Sequence, residues 1–202
     1  MYRSTRRLQG HAADLPQIVA VAQAVVRRAN ERHGGSLVVS VNVGSDPGLV
    51  VVTGSYDHLA DYQKMRAGIM GDNEIQVIAR TGVATSVQDT LSKVIVPGGE
   101  PMGWVVANQA RMHMPKIVPA MAFGVEVAQY VTKLTGRPVS FSYAITGDQS
   151  RVLWASFAKD MADIEAVNDK IEADAGYMNL FARAEGLYVD GSLSASIWQR
   201  VS

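Results

Sequence analysis

Sliding this 202-residue chain against itself by 102 residues keeps its apolar positions in phase. No other feature constrains the possible folds as much. Leu15, Ile18, Val19, Ala22, Val25, Val26 and Ala29 recur at the spacing of one face of an amphipathic helix. The shift carries them onto Ile117, Ala120, Met121, Gly124, Val127, Ala128 and Val131. A second helical face, Leu59, Tyr62, Met65 and Ile69, lands on Met161, Ile164, Val167 and Ile171. Both first helices stop before a glycine, Gly34 and Gly136, where a left-handed cap is least costly. The same shift lays His11 on His113, Ser40 on Ser142 and Asp46 on Asp148. One inserted residue near 175 then brings Arg80 onto Arg183. The expectation is one unit written twice, over residues 1–98 and 99–202, with "VPGGEPMG" (96–103) as the junction.

Within each half the pattern reads strand, helix, strand, turn, strand, helix, strand. "LVVSVNV" turns through "GSDPG" into "LVVVTGSY", and "VSFSYAI" turns through "TGDQS" into "RVLWASF". The alternation of Ile75, Val77 and Ala79 predicts a fourth strand, repeated around residues 179–185. A further strand-like run closes each half, at 90–96 and 192–201. The order βαββαβ predicts an α+β chain built of two fused ferredoxin-like units.

The stretch "SYDHLADYQKMRAGIMGDNEIQ" (55–76) resembles the third-strand and second-helix region of the dimeric α+β barrel superfamily. That group includes antibiotic-biosynthesis monooxygenase-like, EthD-like and NIPSNAP-like proteins. The resemblance implies that the two fused units form one pseudo-symmetric α+β barrel within a single chain. It also implies chemistry on small molecules without a metal or an organic cofactor. The fold hosts many reactions, so the activity has to be argued from residues.

Strand periodicity sorts the side chains between the helix-covered face and the opposite one, which the barrel reading turns into a lumen. Leu37, Val39, Val41 and Val43 form the helix-side set of one strand, leaving Ser40 and Asn42 opposite; its copy leaves Ser142. The first strands of the halves place Arg7 and His11, and Gln109, Arg111 and His113, on that same opposite face. The expected fourth strands add Arg80 and Arg183. Two residues break the scheme: Arg6 and Asn108 fall on the apolar, helix-facing side.

A neutral imidazole is a competent base near pH 7, and guanidinium groups stabilise an enolate or phenolate. Hence His113 and His11 are the expected catalytic residues. Arg7, Arg111, Arg80, Arg183, Ser40, Asn42, Ser142 and Gln109 are the expected substrate-binding set. The reaction so predicted is a monooxygenase- or cyclase-like conversion of a small, oxygen-rich, aromatic or polyketide-like molecule, or of an anion. The alternative is a non-catalytic ligand-binding or assembly protein.

Composition narrows the partners. The formal net charge is zero, so no field favours nucleic acid or an anionic membrane. The chain has no cysteine, which removes disulfides and thiolate metal sites and suits a cytoplasmic setting. Four scattered histidines and no HExxH motif predict no metal site. Exposed sheet edges leave room for a homo-oligomer.

Overall fold

The computed structural model describes residues 1–201, a mixed α+β chain. Its elements run β1 (Tyr2–Gln9), α1 (Leu15–His33), β2 (Val38–Val43), β3 (Leu49–Tyr56), α2 (Leu59–Gly71), α3 (Asn73–Arg80) and β4 (Ser86–Val96). The order then starts again with β5 (Trp104–Arg111), α4 (Ile117–Thr135), β6 (Val139–Ala144), β7 (Arg151–Ala158), α5 (Met161–Glu172), α6 (Ala175–Ala182) and β8 (Ser194–Arg200). The chain divides into two compact units, the first of Met1–Ser92 together with the last residues from Trp198, the second of Lys93–Ile197.

In the first unit β1 and β2 flank β3, both antiparallel to it. Beyond β1 runs the first part of β4, and beyond β2 the end of β8. In the second unit β5 and β6 flank β7 in the same way, bordered by the start of β8 and the end of β4. The registers keep the 102-residue shift. Tyr2 faces Tyr56 where Trp104 faces Ala158, and Val38 faces Thr53 where Ser140 faces Ala155. Both long helices end on a left-handed glycine, Gly34 at φ 67° and Gly136 at φ 73°.

Each unit buries its helical stripes against one sheet face. Ile18, Ala22, Val26 and Ala29 of α1 pack with Val39, Val50, Met65 and Ile75. Ala120, Ala128 and Val131 of α4 pack with Val139, Phe141, Val152 and Trp154. These sets agree with the parity read for β2 and β6, and they resolve β3 and β7, whose even-numbered side chains face the helices.

The expected fourth strands are helices. Residues 73–80 form α3 and residues 175–182 form α6. The cause lies one residue upstream: the Asp72 carboxylate accepts from the Glu74 and Ile75 amides at 3.0 and 3.2 Å. Asp174 likewise accepts from the Tyr177 amide at 2.6 Å. Each aspartate is an N-cap that satisfies orphan donors of the first turn and starts a helix. The closing runs at 90–96 and 192–201 supply the strands instead, within β4 and β8. Arg80 therefore ends α3, exposed, and Arg183 caps α6, also exposed, where it forks onto Glu126 with two 2.8 Å hydrogen bonds.

Candidate functional site

The second unit contains a cavity of about 580 Å³ between its sheet and its helices. Its floor is the helix-facing side of β5 and β7, with Val106, Asn108, Ala110, Trp154 and Ser156; α4 and α5 supply Phe123, Val127, Ile164 and Ile171. Tyr177 and Phe181 of α6 and Tyr188 of the following loop complete an aromatic wall.

The aromatic side chains are fixed. The Trp154 indole stands edge-on to Tyr188 with ring centres 5.8 Å apart, and Phe141 packs on its other side at 5.2 Å. Its Nε1–H donates to the Gly124 carbonyl at 2.9 Å, and the Tyr188 hydroxyl donates to the Ala120 carbonyl at 2.7 Å. Both rings thus have their polar ends satisfied on α4 and present hydrocarbon to the cavity. Burial pushes the Tyr188 and Tyr177 phenols above their ordinary range, so both remain protonated at neutral pH.

Charged and amide groups also line the wall, among them Arg137, Asp163, Asn168, Glu185 and Asp190. Arg137 ion-pairs with Asp163 and donates to the Phe157 carbonyl at 3.2 Å, so its charge is matched. Asn108 differs from these. Its side chain projects from the apolar face of β5 and has no hydrogen-bond partner among the described residues. An amide facing an aromatic cavity offers a donor and an acceptor to whatever enters.

The first unit has a smaller cavity, about 280 Å³, in the corresponding place between its sheet and helices. There Arg6 occupies the position equivalent to Asn108, and donates through Nε and Nη2 to Asp89 at 2.8 and 2.7 Å. The two residues that break the strand parity are polar groups on the floors of these two cavities. That irregularity is the signal in the sequence that could have found both sites.

The residues expected to bind and react lie elsewhere. His11 and His113 precede the short turns that open α1 and α4; His11 is exposed and His113 half-buried, and neither lines a cavity described above. The His113 amide donates to the Leu187 carbonyl at 3.0 Å, next to the cavity-lining Tyr188. Arg111 pairs with Asp148 at 3.1 Å, and Gln109 donates to Ser194 Oγ at 3.0 Å. Asn42 is buried with its oxygen committed to the β2–β3 turn, accepting from the Ser45 amide and hydroxyl and the Asp46 amide. Ser40 and Ser142 are buried, and Arg7 is half-buried on β1. None of these residues, nor Arg80 or Arg183, lines either cavity. No group of three His, Asp or Glu side chains among the described residues is placed to hold a metal ion. No helix among them is long and apolar enough to cross a membrane.

No protein-family model and no curated protein matches this chain. Solved structures match its fold over nearly the full length. A "putative monooxygenase" from Fusobacterium nucleatum, 6% identical, superposes with a TM-score of 0.74 over 100% of this chain and 92% of that one. An anthrone oxidase-like protein, 13% identical, gives 0.68 over 100% and 91%. A heme-binding protein from Thermus thermophilus, also 13% identical, gives 0.52 over the same shares. At these identities the likeness establishes the fold and leaves the chemistry to the site. The larger cavity offers haem no axial imidazole, thiolate or thioether, because no His, Cys or Met lines it.

Proposed function

We propose that the second unit binds a flat, largely apolar, oxygen-bearing aromatic molecule, and that the chain oxidises it in the manner of a monooxygenase. The observation that carries this reading is the Asn108 amide, without a hydrogen-bond partner among the described residues, on the floor of a cavity walled by Phe123, Trp154, Tyr177 and Tyr188. A volume of about 580 Å³ suits a ligand of several fused rings. Trp154, Tyr188 and Phe123 supply contact area, while Asn108 fixes orientation through one hydrogen bond to a carbonyl or phenol oxygen. The anthrone oxidase-like protein among the structures of this fold supports the substrate class.

The reaction so proposed needs no electron donor beyond the substrate. A C–H bond of a methylene group conjugated to an aromatic ketone loses its proton to a base, and the resulting enolate delivers electrons to dioxygen. One oxygen atom replaces both methylene hydrogens as a new carbonyl, and the other leaves with those hydrogens as water. The substrate carbon is oxidised by four electrons and dioxygen takes up all four. In this reading the Asn108 N–H donates to the enolate oxygen as its charge develops, the task first expected of arginines. His113 keeps the role of base in this reading although it stands outside the lining: its backbone is tied to the segment that carries Tyr188, and a bridging water carries the proton to it.

The second reading is a ligand carrier, favoured by the position of both histidines outside the cavity lining. One experiment separates the two. Anthrone is added to the protein, with oxygen uptake and anthraquinone formation followed above the spontaneous rate, and with tryptophan fluorescence recorded in parallel. Turnover that His113→Ala abolishes supports the enzyme. Saturable quenching that Trp154→Phe removes, without oxygen uptake, supports the carrier. Neither signal overturns both.

A further inference from the structure

The cavity of the first unit differs in chemistry from that of the second. Its interior is aliphatic, with Val21, Val25, Val52 and Ile69 among the lining residues, and its charged groups are Arg6, Arg66 and Asp89. Arg6 and Asp89 are about half exposed, at 47% and 44% of their side-chain surface, so the charge lies at a mouth and the hydrocarbon behind it. Tyr56 and Tyr62 stand edge to face beside it, ring centres 5.5 Å apart, adding two phenol oxygens to the lining.

The charges do not balance within this group. Asp89 is fully engaged by Arg6, which holds its carboxyl below the usual carboxylate range. Arg6 uses Nε and Nη2 for that fork and keeps Nη1 available. Arg66 donates to the Tyr62 hydroxyl at 3.4 Å and has no carboxylate within ion-pairing distance among the described residues. Two guanidinium groups thus share one carboxylate at the rim of an apolar pocket. A purely structural ion pair needs neither the second cation nor the hollow behind it.

We propose that the first unit is a second binding site, for a small amphipathic monoanion: an aliphatic or aromatic carboxylate whose tail enters the pocket while its head lies between Arg66 and the free edge of Arg6. The bound carboxylate brings the group of two cations and one anion to neutrality. Charge-assisted, forked hydrogen bonds to guanidinium are the strong kind, and they discriminate a carboxylate from its neutral amide. The site is independent of the proposed oxidation, because none of its lining residues belongs to the larger cavity.

Methionine gives the test a local readout. Met65 and Met70 line this cavity, and no methionine lines the larger one. With methionine methyl groups labelled with carbon-13, 1-naphthoate and its neutral isostere 1-naphthamide are titrated into the full chain. The expected result is saturable shifts at Met65 and Met70, with the carboxylate bound about tenfold more tightly than the amide. Arg66→Gln should bring that ratio close to one. Asp89→Asn should raise affinity for the carboxylate by about three- to tenfold, since it removes a like charge and releases two donors of Arg6, and should leave the amide unaffected. Equal affinities for the two probes, absence of shifts at these methyls, or a ratio unchanged in both variants would overturn the proposal.

Discussion

The Trp154 indole N–H donates to the carbonyl oxygen of Gly124 at 2.9 Å, joining the sheet to α4 through a bond made inside the core. Phe141 lies against the same glycine, where an added Cβ would run into its ring. Trp154→Phe removes this second bond to a helical carbonyl and leaves a smaller ring in the core, and should cost about 1–3 kcal/mol. Gly124→Ala should cost a similar amount, about 1–3 kcal/mol, by forcing Phe141 aside. Urea unfolding followed by far-ultraviolet circular dichroism checks both; unchanged midpoints would refute the packing described.

Asn108 should show opposite effects on stability and on binding. An unpartnered amide on an apolar strand face is a burden in the empty protein. Asn108→Leu should raise the unfolding free energy by about 0.5–1 kcal/mol. The same change should weaken binding of an aromatic ketone about tenfold, the loss of one hydrogen bond to the ligand. Thermal unfolding and a fluorescence titration on one preparation measure the two signs together. A variant that is less stable yet binds normally would remove Asn108 from the site.

Acid should weaken the chain through its two helix-capping aspartates. Burial pulls the Asp72 carboxyl upward, but the Ile75 amide and the Arg32 guanidinium at 2.9 Å outweigh it, and the net direction is down. Asp174 is also lowered, first by the Tyr130 hydroxyl and then by the Tyr177 amide. A carboxyl whose folded value lies below its unfolded one stabilises fully above the unfolded value, near 4, and loses that contribution as pH falls through the folded one. The melting temperature should therefore drop as pH falls below about 4. In Asp72→Asn the drop should be shallower, since asparagine still caps a helix but does not titrate. Parallel curves for the two proteins would contradict the assignment.

The Arg137–Asp163 pair predicts an order of damage. Asp163 also accepts the Lys159 amide at 2.9 Å, whereas Arg137 has otherwise the Phe157 carbonyl and a long contact to the Met102 sulfur. Removing the carboxylate strands a cation whose side chain is only 19% exposed; removing the cation leaves the carboxylate with the Lys159 amide as donor. Asp163→Ala should cost about 2–3 kcal/mol and Arg137→Met less. Chemical denaturation of the two variants decides, and the reverse order would show that the pair matters little.

The long elements are legible in the sequence because they obey one period over many residues. α1 and α4 each present a stripe of apolar positions through about five turns, and β2 and β6 alternate cleanly against them. α3 and α6 escape such a reading because each holds only about two turns, and Ile75, Val77 and Ala79 imitate a strand within so short a span. Asp72 and Asp174, one shift of 102 apart, are the cue that contradicts a strand there. The site is harder to see for a different reason. Polar residues repeated in both halves, such as Ser40 with Ser142 and His11 with His113, attract notice, and several of them serve turns and helix starts common to the two units. The cavities also share apolar lining residues, Val25 with Val127 and Ile69 with Ile171, while the polar residue on their floors differs, Arg6 against Asn108, and a search for repeats passes over it.

The first unit takes its last strand segment from the far end of the chain: Val201 donates its amide to the Val39 carbonyl at 2.9 Å, and the Gln23 side chain bonds the Val201 carbonyl. A ribosome makes the body of this unit before the second unit and the matching end of β8 after it. While the second unit needs nothing beyond Ile197, the first waits through the synthesis of about a hundred further residues with the edge of β2 uncovered. The half that is translated earlier is thus the later of the two to be completed, and a chain cut just before Trp198 carries its flaw in the half that was made first.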